Sequence, residues 1–257
     1  MTASEKYTAF QTILFKEVLR FMRIWMQTIL PPVITTSLYF VIFGNLIGSQ
    51  IGDMDGYQYM DYIVPGLILM AIITNSYSNV VSSFFSAKYQ NHIQEMLVAP
   101  LPSYIILLGF VAGGVARGLV VGLAVTLVSL FFSDLNIAHY GITIAIALLT
   151  AILFSLAGLI NGIYANSFDD ISIVPTFILT PLTYLGGIFY SISMLPEFWQ
   201  SVSLANPILY MVNGFRYGIL GSSDITPFAS FGLIALFIAG LSLLALWLLN
   251  NGHGTRS

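Results

Sequence analysis

The stretch YIVPGLILMAIITNSYSNVVSSFFS, residues 62–86, decides the fold class. Its first half is almost entirely apolar, and the whole is long enough to cross the ~30 Å hydrocarbon core of a bilayer as one α-helix. In its second half polar residues recur at helical spacing, and this polar face comprises Thr74, Asn75, Ser78, Asn79, Ser82, Ser83 and Ser86. A polar helix face does not turn toward lipid. It therefore faces protein or a wet pathway, and the sequence leaves both alternatives open.

The composition of the whole chain is that of a polytopic membrane protein. Of its 257 residues, 57% are hydrophobic and 7% are charged, whereas a soluble domain carries roughly 25% charged residues. This excludes a soluble globular enzyme. The net charge of −3 offers no basic surface, so we expect no nucleic-acid partner. The chain has no cysteine, which excludes a disulfide, a thiolate nucleophile and a Cys-ligated metal.

Six apolar stretches are each long enough to span a membrane. They lie near residues 25–46, 62–86, 105–132, 141–165, 171–190 and 229–250. The sequence therefore predicts an all-α integral membrane protein with six transmembrane helices in a single domain, residues 1–257. The fifth stretch holds two prolines and a glycine pair, and prolines also interrupt residues 191–220. We expect the latter to form short re-entrant helices at the outer face, because irregular backbone at membrane depth needs protein or water around it.

The first 24 residues are predicted to form an amphipathic helix on the membrane surface. Charges at Lys16, Glu17, Arg20 and Arg23 interrupt any apolar core, so a cleavable signal peptide is not expected. The alternative is that this helix simply extends the first span.

The distribution of basic residues predicts the orientation of the chain. Six of the eight Lys and Arg residues fall in segments on the side of the N-terminus, and only Arg216 falls on the other side. Since basic residues concentrate on the cytoplasmic side, both termini are expected in the cytoplasm. The remaining one, Arg117, lies midway along the third span. It has either a pairing or functional role or a snorkelling side chain.

The loop after the second span reads AKYQNHIQEMLVAPLPS, residues 87–103, and predicts a short helix that ends before its prolines. An apolar stripe recurs at helical spacing, with Glu95 beside it; the stripe consists of Tyr89, His92, Ile93, Met96 and Leu97. This helix either rests on lipid or docks into a partner and passes force to the spans. The sequence alone favours neither.

The sequence lacks the motifs of several chemistries. It has no G-x-x-x-x-G-K-[ST] loop, so the chain is not expected to bind and hydrolyse ATP by itself. Its three histidines are scattered, and we expect neither a metal site nor a catalytic residue nor a cofactor. The carboxylate pair Asp169-Asp170 is interpreted as a cap of the fifth span rather than as a chemical site.

Three segments resemble the membrane subunit of the ABC type-2 exporters, and the resemblance extends over essentially the whole chain. They are YIVPGLILM (62–70), IQEMLVAPLPSYIILLG (93–109) and NPILYMVNGFRYGILG (206–221). The resemblance implies a permease that pairs with a second copy of itself. Each copy would bind one separately encoded ATP-binding subunit, which would hold ATP and Mg²⁺.

The resemblance also implies roles for particular segments. Residues 87–100 correspond to the family's coupling helix, 5–23 to its N-terminal interfacial helix and 191–215 to its outer re-entrant helices. The export pathway would lie between the two copies, lined by the second and fifth spans. The fifth span would contribute Thr176, Thr180, Thr183 and Tyr184.

We therefore expect the permease subunit of an ATP-driven exporter in the bacterial inner membrane. Its substrate would be hydrophobic or amphipathic: a drug, a lipid or a lipid-linked glycan. An ATP-independent secondary transporter or channel is the first alternative, although it predicts mid-span carboxylates that the sequence does not show. A membrane protein that assembles or anchors a partner is the second.

Overall fold

The computed structural model describes residues 1–98 and 101–252, and most of them are helical. The α-helices are α1 (Ala3–Arg23), α2 (Trp25–Thr28), α3 (Leu30–Tyr39), α4 (Gly48–Ile51), α5 (Tyr59–Tyr89), α6 (His92–Val98), α7 (Ser103–Ser129), α8 (Tyr140–Tyr164), α9 (Asp170–Val174), α10 (Thr180–Tyr184), α11 (Glu197–Leu204), α12 (Pro207–Leu220) and α13 (Pro227–Asn251). Phe40–Ile47 and Pro175–Leu179 are π-helical, and Ile192–Met194 is a 3₁₀ turn.

Five segments of the described residues are long and apolar enough to cross a membrane. They are Trp25–Gly44, Tyr59–Tyr89, Ser103–Ser129, Tyr140–Tyr164 and Pro227–Asn251. They coincide with five of the six stretches that the sequence predicts, and the prediction of a polytopic helical membrane protein is confirmed to that extent.

The fifth predicted span, residues 171–190, is not among these five segments. Helix α9, the π-helical segment Pro175–Leu179 and α10 follow one another without a break, but together they cover only Asp170 to Tyr184. At 1.5 Å per residue they extend about 22 Å, which is shorter than the ~30 Å hydrocarbon core. Gly187, whose φ is +70°, lies in the bend beyond them. A complete sixth span therefore stays a prediction.

A short β-hairpin with two residues in each strand is the exception to the all-α prediction. Strand β1 (Asp53–Met54) pairs antiparallel with β2 (Tyr57–Gln58), in the register Asp53 to Gln58. The connecting residues Asp55 and Gly56 both have positive φ, 52° and 84°. An Asp-Gly pair is one of the preferred sequences for such a turn, because both residues tolerate the left-handed conformation.

The N-terminal helix forms as predicted. Thr2 caps α1 through a reciprocal pair of bonds: its hydroxyl oxygen accepts from the N–H of Glu5 (3.3 Å), and its own N–H donates to the Glu5 carboxylate (2.9 Å). Helix α1 runs alongside the first half of α7, with Ile13 against Gly109 and Glu17 against Gly113. Whether α1 lies at the membrane surface stays a prediction.

Helix α5 is the centre of the bundle and packs mainly on α7 and α8. The glycines at 114, 118 and 122 permit this packing: a Cβ at Gly118 would collide with Ser76, and one at Gly122 would approach Ile72 at 2.5 Å. On α8, a Cβ at Gly158 would lie 2.5 Å from the carbonyl oxygen of Tyr77. These small residues therefore permit close packing within the chain.

Helices α11 and α12 occupy the region that the sequence assigns to re-entrant helices. Helix α12 is largely buried and packs on α5, α8 and α13. Helix α11 carries exposed Phe198 and Trp199. Their position relative to the membrane stays a prediction.

Candidate pathway and coupling regions

The polar face of α5 has two edges. The buried edge consists of Asn75 and Asn79, and the accessible edge consists of Thr74, Ser78 and Ser82. Asn75 and Asn79 are buried, whereas Thr74 is exposed, and Ser78 and Ser82 are half-buried. The Ser82 hydroxyl donates to the carbonyl oxygen of Ser78 (2.7 Å) within the helix. The asparagines thus face protein, which is one of the two alternatives of the sequence analysis. Thr74, Ser78 and Ser82 retain accessible surface, and whether this surface borders a wet pathway stays a prediction.

The buried edge belongs to a charge cluster formed by Glu17, Arg20, Asn79 and Ser83. Arg20 on α1 donates to the Asn79 side-chain oxygen (2.8 Å) and to its carbonyl oxygen (2.9 Å). It also lies 3.4 Å from the carboxylate of Glu17. The Ser83 hydroxyl donates to the other oxygen of that carboxylate (2.6 Å). Glu17 is fully buried, and these bonds offset the cost of its burial.

Sequence reasoning missed this cluster, because it took Glu17 and Arg20 only as charges that rule out a signal peptide. A signal was present: Glu17 stands between Ile13 and Phe21 at four-residue spacing, and all three are buried. A carboxylate within an otherwise apolar helical stripe indicates a buried partner.

Arg117 has a partner within the chain. Its guanidinium donates to the side-chain oxygen of Asn75 (3.2 Å), one turn before Asn79 on α5. The structure therefore favours pairing over snorkelling. Arg117 and Arg20 bond to neighbouring turns of the same helix, so the buried edge of α5 accepts bonds from two arginines.

A cleft of about 260 Å³ separates α3 from α5, beside the accessible edge. Its polar lining comprises Thr35, Thr36, Tyr39, Thr74 and Asn75. Pro31, Leu67 and Met70 are among its apolar walls. The cleft can therefore accommodate a molecule with polar and apolar parts.

The four residues predicted on the fifth span are differently placed. Thr176, Thr180 and Tyr184 are exposed, and Thr183 is buried. The hydroxyls of Thr180 and Thr183 donate to the carbonyl oxygens of Pro175 (2.8 Å) and Leu179 (2.6 Å). Such bonds satisfy the two hydroxyls within their own helical segment. The Tyr184 hydroxyl lies 3.3 Å from that of Tyr39, which connects this segment to the cleft.

The predicted coupling segment forms the short helix α6. Ile93 is fully buried in the protein's own core and Met96 is half-buried, whereas Tyr89, His92 and Glu95 are exposed. The side chain of Leu97 lies outside the described part of the structure. Only Ile93 and Met96 of the described stripe residues thus attach α6 to its own bundle. Tyr89, at the end of α5, and His92 and Glu95, on α6, are exposed.

Residues at the end of α5 contact the end of α8 and the loop that leads from it into α9. The Lys88 ammonium donates to the carbonyl oxygens of Ile163 (2.8 Å) and Ala165 (2.7 Å) at the end of α8. The ring of Phe168 packs against those of Phe85 (4.9 Å between centroids) and Tyr89 (5.4 Å). Tyr89, at the end of α5, is therefore in direct contact with the loop that leads into the fifth predicted span.

Asp170, the first residue of α9, holds the turn that precedes the helix, whereas Asp169, in the N-cap position, makes no capping bond with its side chain. Its carboxylate accepts from the N–H groups of Asn166 (2.9 Å) and Ser167 (3.1 Å), and its own N–H donates to the Ser167 hydroxyl (3.2 Å). The bond from Asn166 is the main cause that holds the pKa of Asp170 below its ordinary value of 3.8. Within residues 1–98 and 101–252, no group of three or more His, Cys, Asp or Glu residues could hold a metal ion.

Comparison with known proteins shows the family. Residues 8–220 match the model of the ABC-2 type transporter family. The chain is 58% identical to the inner membrane transport permease YadH of Escherichia coli K12 over 252 residues, 98% of each chain. It is 24% identical to nodulation protein J of Sinorhizobium fredii, over 82% of this chain and 77% of the relative. A family match over most of the chain and a relative of this identity leave one assignment: the chain belongs to the ABC-2 type transporter family and is a multi-pass membrane protein of that family.

Proposed function

We propose that this chain is the permease subunit of an ATP-driven exporter in the bacterial inner membrane, with both termini in the cytoplasm. Two copies pair, and each binds one ATP-binding subunit that supplies ATP and Mg²⁺; this chain binds no cofactor. A hydrophobic or amphipathic substrate crosses between the two copies. The name of the Escherichia coli relative, an inner membrane transport permease, supports the location and the transport role.

The observation that carries the proposal is the division of α6 into an anchored and a free face. Buried Ile93 fixes the helix to the bundle, while Tyr89, His92 and Glu95 stand exposed beside it. An element of this kind can receive force from a partner and deliver it to the spans. Since the sequence has no ATP-binding loop, the work of transport must come from another chain.

The contacts beyond α6 support a route for this force. Helix α5 continues from the coupling segment into the centre of the bundle, and its end is bonded to the loop before α9 through Lys88 and Phe168. Movement at Tyr89 therefore acts on the second and fifth predicted spans together. These are the two spans proposed to line the pathway.

The accessible polar side chains support the location of the pathway. Thr74 and Ser78 on α5, and Thr176 and Thr180 in the fifth predicted span, retain exposed surface. In a second copy the same positions recur, so that pairing through this side would enclose a polar passage.

The experiment is purification of the tagged chain with its ATP-binding subunit, followed by measurement of Mg²⁺-dependent ATP hydrolysis. We expect Tyr89→Ala/Glu95→Ala to reduce the co-purified subunit at least tenfold, or to leave it bound without substrate stimulation. The matched control is Glu197→Ala/Phe198→Ala, which removes an exposed acid and an exposed aromatic from α11. Normal association and stimulation in the first variant would contradict the coupling role.

One observation favours an ATP-independent, ion-coupled transporter as a second candidate. Glu17 is a buried carboxylate packed against α7, and ion coupling uses such groups. Its bonds to Arg20 and Ser83 favour a structural role instead. Uptake into proteoliposomes driven by an ion gradient, with no ATPase present, would establish this alternative.

A further inference from the structure

Arg117 carries a charge that lacks a counter-charge. Among the described residues, its guanidinium bonds the neutral amide of Asn75, and its Nε is buried without a partner. In the described part of the chain, the one ion pair joins Arg20 to Glu17. Two arginines and one glutamate thus leave one positive charge uncompensated. An unpaired guanidinium inside a membrane protein costs several kcal/mol unless an anion or water offsets it.

Other unused donors lie beside this charge. The amide nitrogen of Asn79, whose side chain is fully buried, has no partner, and neither has Nε of Arg20. Asn75 and Asn79 are one turn apart on α5, so these donors and the Arg117 guanidinium belong to the same short section of the bundle. Several free N–H donors around an excess positive charge match the requirements of an oxyanion.

The cleft between α3 and α5 reaches this section through Asn75, and Arg117 itself is not among the residues that line the cleft. Asn75 forms part of its lining and is the residue that Arg117 bonds. Thr35 and Thr74, also in the lining, are exposed. The apolar walls of Leu67 and Met70 suit a hydrocarbon portion. An occupant that satisfies both the charge and the walls is an anionic amphiphile.

The depth of Arg117 bears on the kind of occupant. Helix α7 has 27 residues, and Arg117 lies near its middle, about 21 Å from its first residue at 1.5 Å per residue. The headgroup of a resident lipid remains at the membrane surface. An anionic group held at this depth belongs to a molecule in passage.

We propose that the section between α3, α5 and α7 binds the anionic headgroup, a phosphate or a carboxylate, of an amphiphilic molecule, with Arg117 as its counter-charge. The headgroup takes the free guanidinium N–H groups while the apolar part lies along Leu67 and Met70. This inference rests on the proposed function, because it names the chemical class of the transported substrate.

The test uses two photoreactive probes that share the same acyl chains, phosphatidic acid and diacylglycerol, which lacks the phosphate. The complex is reconstituted in phosphatidylcholine nanodiscs, and probe affinity is measured by labelling. We expect the wild type to bind phosphatidic acid at least tenfold more tightly than diacylglycerol. Equal affinity for the two probes would overturn the proposal, and this comparison requires no variant.

Variants then locate the site. Arg117→Gln should remove the tenfold preference, and Arg117→Lys should retain most of it because the charge remains. Arg23→Gln is the matched control, since Arg23 is exposed at the end of α1. If Arg117→Gln keeps the preference, the headgroup binds elsewhere and the assignment fails.

Two further measurements separate the possible outcomes. Stimulation of ATP hydrolysis by phosphatidic acid supports a transported molecule, whereas an Arg117-dependent preference without stimulation would overturn the claim that the bound molecule is in passage. An active ATPase complex without any preference overturns the headgroup site and leaves the proposed function standing. A preference for phosphatidic acid in a chain that associates with no ATPase supports the headgroup site and overturns the proposed function.

Discussion

Helices α5 and α13 are both able to span a membrane, yet they occupy opposite environments. In their most apolar windows, 83% of α5 is buried, against 22% of α13. Helix α5 carries the polar face with Asn75 and Asn79, whereas α13 exposes Leu236 and Leu243. In a soluble protein the more apolar helix would be the buried one. Here the surrounding lipid is itself apolar, so the helix with polar side chains lies inside, where they find partners.

The difference between the two helices is tested most strongly by introducing the same bulky residue, leucine, into each of them and measuring stability. Gly158→Leu should destabilise the fold by about 3 kcal/mol, because its Cβ alone would lie 2.5 Å from the Tyr77 carbonyl oxygen in the α5–α8 contact. Gly240→Leu on α13 should change stability by less than about 0.5 kcal/mol, since nothing lies within 4 Å of its Cβ position. Thermal unfolding in detergent measures both. Equal effects would show that α5 is not the packed centre.

A second variant tests the polar contacts of α5. Asn79→Leu removes the side-chain acceptor of Arg20 and should cost about 2 kcal/mol, the range for hydrogen bonds to charged groups. Ser78→Leu, one residue earlier and half-buried, should leave the melting temperature almost unchanged. An unaltered Asn79→Leu protein would mean that the charge cluster contributes no stability.

Transport, unlike stability, should respond more strongly to Ser78→Leu than to Asn79→Leu. Ser78→Leu places an apolar side chain on the accessible edge and should lower export severalfold while the chain still inserts and pairs. The control is Leu243→Ile on the exposed surface of α13, which should export normally. If export by Ser78→Leu equals that of the control, the accessible edge does not line the pathway.

The smallest effect is expected at Asp170, on the exposed surface. Its depressed pKa means that the folded state favours the carboxylate, so its contribution is present above about pH 4. The contribution is lost as the pH falls through the still lower pKa of the folded state. Asp170→Asn should therefore melt below the wild type at pH 7, and the two should converge on acidification. A constant difference across this range would contradict the assignment.

Sequence patterns predicted which residues share a helix face, but not what covers each face. Helical spacing correctly placed α1, and apolar length correctly placed five spans. The stripe on α6 was equally clear, yet periodicity could not show that Ile93 contacts its own bundle rather than a partner. The distinction depends on where remote segments pack, and no local pattern encodes that.

The charge cluster illustrates the same limit. Glu17 and Ser83 are 66 residues apart in the chain, and their contact exists only because α1 runs along α7 beside α5. The hairpin at Asp55-Gly56 is a different case, since its turn depends on two neighbouring residues whose Asp-Gly sequence is itself a turn signal. Helix length was the least predictable quantity: residues 171–190 are apolar enough for a span, but the helical part ends at Tyr184.

The central claim, that the accessible edge of α5 borders a wet pathway while α13 faces lipid, is tested most directly by spin-label accessibility. The chain has no cysteine, so single cysteines for labelling can be introduced at Thr74, Ser78, Leu236 and Leu243 without removing any. In the reconstituted complex, labels at the two α5 positions should collide with a water-soluble nickel chelate. Labels on α13 should collide with oxygen dissolved in lipid. If the labels at Thr74 and Ser78 collided only with oxygen dissolved in the lipid, the result would contradict the account.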